Sequence, residues 1–383
     1  MSEANDVESL GGTGLTVAMV EADLRASLNL PQLLVTDCKA TLFGVGKGFG
    51  SHILRLKLSY EGQGSAEAPS QIVAKVPVSQ KIEALMKDFA AGEDVDQIAA
   101  QMAALIPSLH ATECRIFEVF QQQPPSFPIP RIYKCQPMGP AQLGYILMED
   151  LSGDMRTVGF EQCFSLNQLE QILDCLADWA AYVAHRPELI EQFPPMDEKM
   201  MEAGVSMMAN GYQRLVQLKP DTFAGKESWL PKFDVAEMKA MEKHFVEETG
   251  LGYSLSHGDL HVNNILFNAA GDQLRALIDW QLVHRSTVLE DLGRVLLMGA
   301  VTERRANQSA LLRRFHARFV RQAPPEKAFS LEQLEGAYKE FWPFSVGFMV
   351  GMGAGFVTMM PTEEAQQAFI QHLCDIFEEI RPH

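Results

Sequence analysis

Apolar and polar positions change their period several times along the chain. Val17–Leu28 carries apolar residues at helical spacing. From Ala40 to Tyr60 the pattern turns strand-like. Two runs flank Gly44, Gly46, Gly48 and Gly50, and Ile53, Leu54, Leu56 and Leu58 carry the second run. Ile72–Pro77 predicts a short buried strand with a single charge, Lys75, in its middle. Residues 81–121 read as helix broken near Pro107, and Ile116, Phe117 and Phe120 mark the inward face of its second part. A proline-rich loop then leads into strands at Ile132–Gln136 and Tyr145–Met148.

Beyond residue 150 helical periodicity dominates. Ser165 and Gln168 have capping-box spacing, and Leu166, Leu169, Ile172, Leu173, Leu176 and Val183 trace one apolar face behind them. Between 187 and 250, prolines separate amphipathic pieces rich in methionine. Met200, Met201, Met207 and Met208 read either as core or as the lining of an adaptable apolar pocket. Ser330 and Gln333 repeat the capping box and open a helix through Tyr338. Phe341–Met360 is uncharged and carries G-x-x-x-G at Gly347/Gly351 and Gly351/Gly355. Pro343, four glycines and amphipathic flanks make it a buried helix rather than a membrane span. The predicted class is α+β, with a small antiparallel-sheet lobe at 17–150 and a larger, mostly helical lobe at 151–383. Residues 1–16 are expected to be a flexible lead-in.

Composition narrows the partners. With 383 residues and 47% hydrophobic side chains, the chain can bury a sizeable core. A net charge of −17 opposes the basic footprint of a nucleic-acid or anionic-membrane binder. The six cysteines are scattered, with no C-x-x-C pair, so neither a zinc site nor a redox dithiol is expected. That usage, with an acidic N-terminus unlike a signal peptide, implies a reducing, cytoplasmic location.

The chemistry concentrates in residues 256–280, SHGDLHVNNILFNAAGDQLRALIDW. His257, Asp259 and Asn264 fall as H-x-D-x-x-x-x-N, and Asp279 follows Asp259 by twenty residues. Phosphoryl transfer from ATP uses this set: a carboxylate near the acceptor hydroxyl, then an amide and a second carboxylate on Mg²⁺. Apolar runs around them predict strand, loop, strand, turn at Asn268–Asp272, and strand. Asp259 and Asp279 would then project from neighbouring strand ends. Upstream, the glycine hairpin reads as a cover for phosphates or as a plain flexible turn. Lys75 reads as a phosphate-contacting lysine or as a solvent-facing residue of an edge strand. Its helix partner would be Glu113, with Glu118 as the alternative and an ordinary solvated charge as the third reading. Asp291 either caps the helix that it opens or supports the H-x-D loop.

These stretches resemble one family. GVGKGFGS, IVAKVP, HATECRIFEVF, IPRIYKCQPMG, GYILMEDL, LSHGDLHVNNILF, ALIDWQLVHRS and EDLGRVLL occur in the order and at about the spacing seen in the choline/ethanolamine kinase and aminoglycoside phosphotransferase superfamily. Within it the chain is most similar to the CHK kinase-like group, which includes ecdysteroid kinase-like proteins and a large nematode set. The resemblance implies a bilobal protein-kinase-like fold. It implies Asp259 as catalytic base with His257 supporting the loop, and Asn264 and Asp279 as magnesium ligands. Lys75 and Glu113 would be the phosphate-contacting ion pair, Gly46, Gly48 and Ser51 the phosphate cover, and Glu149, Asp150 and Leu151 the adenine-binding connector.

The expected activity is ATP- and Mg²⁺-dependent phosphorylation of a hydroxylated small molecule: a steroid, a lipid-like glycoside or an amino-alcohol. Trp342 and Phe344 are candidates for its pocket wall. The alternative is a pseudokinase-like module that binds nucleotide or ligand and acts through a partner. A protein kinase is disfavoured, because Asp279 is followed by Trp-Gln rather than Phe-Gly and no A-P-E segment follows.

Overall fold

The computed structural model describes residues 9–43, 50–78, 95–153, 155–357 and 360–382. The chain divides into two compact units. The first comprises Met1–Leu85, Ala103–Pro124 and Ile129–Asp154; the second comprises Met86–Met102, Pro125–Pro128 and Met155–His383.

The first unit is built on five antiparallel strands, β1 (Leu34–Phe43), β2 (Ser51–Glu61), β3 (Gln71–Pro77), β4 (Ile132–Gln136) and β5 (Tyr145–Glu149), in the order β1-β2-β3-β5-β4. Side chains alternate between faces of a strand. One face therefore collects Leu54, Leu56, Ile72, Ala74 and Leu147 over the helix Val17–Leu28, whose Val20 and Leu24 are fully buried. Thr16 caps that helix at its N-terminus, and Asn29, at φ +56°, closes it in the left-handed region. Leu10 and Leu15 join the same core. Residues 9–16 of the expected flexible lead-in thus pack on this core through Leu10 and Leu15.

Being one position out of phase with Ala74, Lys75 points to the opposite face of β3, where it is paired across the sheet with Ile53 and Ile146. The helix Val95–Gln122 runs through Pro107 instead of breaking there. A helical proline removes one hydrogen bond, whereas Ile106, Ile116, Phe117 and Phe120 keep a buried side on both flanks of it.

In the second unit, short strands carry the polar loops and long helices surround them. Strand β7 (Ser254–Ser256) pairs with β10 (His284–Ser286), and β8 (Ile265–Asn268) lies between β6 (Met155–Arg156) and β9 (Leu274–Leu277). The strands before Asp259 and Asp279 are therefore not neighbours, contrary to the sequence expectation. The hydrophobic pattern finds strands without saying which ones pair. The turn at Asn268–Asp272 is as expected: Asn268 Oδ1 accepts from the backbone N–H groups of Gly271, Asp272 and Gln273.

Ser165 and Gln168 form both halves of their capping box on the helix Leu166–Ala184. Ser330 and Gln333 do the same for the helix Leu331–Val357, which continues through Tyr338 and Pro343 as one element. Its glycines serve packing. A Cβ on Gly211, in the helix Glu198–Leu218, would lie 1.8 Å from the Gly351 carbonyl oxygen, so these two helices meet backbone to backbone. Among the described residues, no helix is long and apolar enough to cross a membrane.

Candidate functional site

In the first unit, Lys75 Nζ lies 2.7 Å from Glu113 Oε2, with side-chain exposures of 8% and 1%. Glu118, the alternative partner, is exposed. A lone ammonium at Lys75 would be costly to bury, so the carboxylate is what makes a lysine tolerable in this strand. Ser51 is buried at the start of β2, opposite Pro77. Gly46 and Gly48 lie outside the described residues.

After β5 the chain is held by its side chains. Glu149 Oε2 accepts from the Arg131 backbone N–H at 3.1 Å. Asp150 accepts from Arg55 Nε at 2.8 Å and from the Ser152 backbone N–H at 2.9 Å. Burial alone would raise the Asp150 carboxyl, but Ser152 and the Arg55 guanidinium outweigh it and hold it below the usual carboxylate range. Both carboxylates are thus engaged, and Leu151 is half-buried.

The second unit carries the H-x-D-x-x-x-x-N loop. His257 is fully buried, and burial pushes its imidazole down to about 3 despite the opposing charge of Asp279. It is therefore neutral near pH 7, and its two nitrogens have fixed roles. Nε2 donates to the Ile278 carbonyl at 3.1 Å, and Nδ1 accepts from the Asp259 backbone N–H at 3.3 Å. The ring also packs on Trp280, with centroids 4.5 Å apart.

One histidine thus ties the backbone of Asp259 to the residue before Asp279. Asn264 adds a second tie. Its Nδ2 donates to the Asp259 carbonyl at 2.8 Å and to Asp259 Oδ2 at 3.2 Å, while its own carbonyl accepts from Ile278 N–H at 3.0 Å. Asp279 itself sits at φ +65°, a left-handed conformation that is strained for a residue with a side chain.

Asp291 is a support for the loop. Its carboxylate accepts from Ser256 Oγ at 2.9 Å, His257 N–H at 2.6 Å and Gly258 N–H at 3.2 Å. The helix Val288–Leu297 is capped instead by Thr287, whose hydroxyl accepts from Leu289 N–H. Burial raises the Asp291 carboxyl to about 6, with the Glu290 charge acting in the same direction. Gly258, at φ +80°, has no room for a Cβ, which would meet the Leu282 carbonyl oxygen at 2.3 Å.

Several residues passed over in the sequence join this arrangement. His261, two positions after Asp259, is largely screened from solvent, and desolvation is the chief cause that holds it near 4; its ring lies 5.8 Å from both Phe160 and Phe356. Arg294 donates to the Gly258 carbonyl and to Glu290 Oε1, and Glu290 also accepts from Ser286 Oγ at 2.8 Å and lies 3.0 Å from His284 Nε2. The four-residue spacing of Glu290 and Arg294 was the visible signal for that pair.

Of the two aromatics suggested for a pocket wall, Phe344 lines a cavity of the second unit together with Phe341. Trp342 does not line it; its ring carries the Arg304 guanidinium at 4.6 Å.

A strand lysine paired with a helix glutamate, and an H-x-D-x-x-x-x-N loop anchored on a later buried aspartate, define the class. The fold is α+β, an antiparallel-sheet unit and a mostly helical one. The chain belongs to the DUF1679 family, described as "Uncharacterized oxidoreductase dhs-27", which matches residues 4–379.

It is 27% identical over 281 residues to the uncharacterized kinase-like protein D1044.1 of Caenorhabditis elegans, an alignment covering 72% of this chain and 71% of that one. With the uncharacterized oxidoreductase dhs-27 of the same nematode it shares 22% identity over 307 residues, 77% of this chain but 36% of that protein. The oxidoreductase name thus describes a protein of which this chain spans about a third. Among solved structures, the GDP complex of wild-type aminoglycoside 2′-phosphotransferase-IIIa aligns over 95% of this chain and 99% of its own, at 11% identity and a TM-score of 0.48.

Proposed function

We propose that the protein is an ATP-dependent kinase that transfers the γ-phosphoryl group to a hydroxyl of a small molecule. The observation that carries this reading is the placement of Asp259. Its backbone is tied by His257 and Asn264, and its carboxylate accepts from the Asn264 amide. A carboxylate held on a braced loop is suited to orient an acceptor hydroxyl and take its proton as the O–P bond forms.

Lys75, held by Glu113, would neutralise phosphate oxygens. The residues Gly46, Gly48 and Ser51 would cover them, and the backbone at Glu149–Leu151 would hydrogen-bond the adenine. Asn264 and Asp279 suit a magnesium ion, because both offer hard oxygen atoms and the Asn264 amide nitrogen is turned toward Asp259. When bound, Mg²⁺ would supply charge neutralisation on the phosphates. The acceptor is proposed to be a hydroxylated metabolite of partly apolar character, met in the cytoplasm.

The test is transfer from γ-labelled ATP into fractionated small-molecule extracts, with Asp259→Asn protein in parallel. Label in a metabolite peak with the wild type, reduced about 100-fold or more with the variant, is the expected result. Nucleotide binding should survive the substitution. Transfer that persists in the variant, or no transfer from any fraction by a protein that binds MgATP, would overturn the reading and favour a binding module acting through a partner.

A further inference from the structure

The cysteines stand far apart along the chain, yet folding of the first unit directs two of them at each other. Strand β4 is an edge of its sheet. Lys134 on β4 turns toward the helix Val17–Leu28, where its Nζ lies 3.6 Å from Asp23 Oδ1. Its neighbour Cys135 therefore faces the other side. The register agrees: Cys135 is paired with Ile146, and Ile146 with Lys75, whose ammonium meets Glu113 of the helix Val95–Gln122 on that side.

That helix runs along β4 in the reverse direction. His110 Nε2 lies 2.8 Å from the Gln136 carbonyl oxygen, and Gln121 Nε2 donates to the Ile132 carbonyl at 3.1 Å. Rising residue numbers on the helix thus match falling numbers on the strand. Cys114, one turn beyond His110 and next to Glu113, falls between those two ties, over Cys135. Its side chain is buried at 1% exposure, whereas Cys135 is half-buried on the edge strand.

The same contacts decide which sulfur is the nucleophile. A carbonyl oxygen only accepts, so a proton of His110 sits on Nε2, where Gln136 holds it. Cys114 Sγ lies 3.5 Å from that nitrogen and meets it as an acceptor, which favours the thiolate. Hydrogen bonding from the Cys135 thiol, joined by His110, outweighs burial and lowers the Cys114 thiol to about 6, while Cys135 is raised. A thiolate beside a thiol is the combination that peroxide converts to a disulfide.

We propose that Cys114 and Cys135 are a modification site, joined in a reversible disulfide by hydrogen peroxide. The Cys114 thiolate attacks one peroxide oxygen, the O–O bond breaks, and the leaving hydroxide takes up a proton to become water. The Cys135 sulfur then attacks the sulfenic acid on Cys114. The S–S bond forms, the S–O bond breaks, and the thiol proton leaves with the hydroxyl as a second water. Both sulfurs are oxidised and the peroxide is reduced. The expectation of no redox dithiol rested on C-x-x-C spacing, which a helix paired with a strand bypasses. The link fixes the residue after Glu113 to the sheet and closes the loop 114–135, which disfavours the unfolded chain. It belongs to the packing of the first unit and does not require phosphoryl transfer.

The experiment exposes the folded full chain to hydrogen peroxide under conditions that oxidise free glutathione, blocks the remaining thiols with iodoacetamide, and maps tryptic peptides by mass spectrometry. Arg115, Arg131 and Lys134 are cleavage points that put the two cysteines on separate peptides. The expected product joins the peptides of Cys114 and Cys135, comes apart with dithiothreitol, and accompanies a higher urea midpoint. Cys135→Ser protein should halt at the sulfenic acid, so that dimedone added in urea labels Cys114 about tenfold more than in the wild type. The wild-type map decides the matter even where that variant fails to fold. A bond from either cysteine to a different one, a wild type that keeps both thiols, or equal dimedone labelling of Cys114 in the two folded proteins would overturn the proposal.

Discussion

The carboxylate of Asp291 accepts the backbone N–H of His257 at 2.6 Å, which ties the start of the H-x-D loop to a helix 34 positions further along the chain. Gly258 N–H and Ser256 Oγ point at the same side chain, but Gly258 keeps Ser256 Oγ as a second acceptor at 3.1 Å. The stranded group on removal of Asp291 is therefore His257 N–H. Asp291→Ala should lower stability by about 1–3 kcal/mol in urea unfolding and speed amide exchange at His257 selectively. Unchanged exchange there would show that the loop stands without this anchor.

Lys75 and Glu113 form a buried pair, so their removal should be strongly non-additive. Glu113→Leu alone leaves an uncompensated ammonium and should cost about 3–5 kcal/mol. Lys75→Met combined with Glu113→Leu should recover most of that stability without restoring phosphoryl transfer. Additive costs in a double-mutant cycle would mean that the two groups do not depend on each other.

The wall formed by His284, Glu290 and Arg294 predicts a pH signature. Burial lowers His284, but the neighbouring Glu290 charge and hydrogen bond more than reverse it, so its folded pKa lies above the ordinary 6.5. A raised histidine contributes stability in full below its unfolded pKa and loses it as pH rises through the folded one. Glu290, held far below the usual range by His284 and Arg294 against the effect of burial, contributes above its unfolded value and is lost only in strong acid. The His284 contribution should thus decline as pH rises from about 6.5 toward its raised value. The gap between wild-type and His284→Gln urea midpoints should therefore narrow across that window.

Gly211 faces the Gly351 carbonyl oxygen, where an added Cβ would sit 1.8 Å away. Since backbone cannot rotate aside as a side chain does, Gly211→Ala should push the two helices apart and cost about 1–3 kcal/mol. Gly204, on the same helix with open space around its Cβ position, is the control. Gly204→Ala should be neutral or slightly stabilising, because alanine is the better helix former. Equal melting temperatures for the two variants would refute the close approach.

Elements and local caps were legible along the chain because their signals are short-range. Ser165 and Ser330 bond to residues three positions on, and the alternation in β2 and β3 assigns Lys75 to the face opposite Ala74 without knowledge of neighbours. The H-x-D-x-x-x-x-N spacing likewise brings Asn264 to Asp259, since five residues of loop suffice. Pro107 misled because its local penalty is real but smaller than the burial on either side of it. Strand pairing in the second unit was illegible for another reason. Runs as short as Ser254–Ser256 and Leu274–Leu277 carry too little pattern to choose a partner.

What distance along the chain conceals, the packed structure arbitrates. The role of Asp291 rested on two readings of one residue type, and a set of hydrogen bonds reaching back to residues 256–258 settled it. The meaning of Phe344 and Trp342, two positions apart, came from the helix turning one toward the cavity and the other toward Arg304. Glu242, Arg285 and Ser345, which line one cavity, lie on three segments that share no motif. Residue types and spacing establish which groups exist and which local bonds they form. Whether a buried carboxylate or guanidinium finds its partner depends on side chains that only folding brings within hydrogen-bond reach.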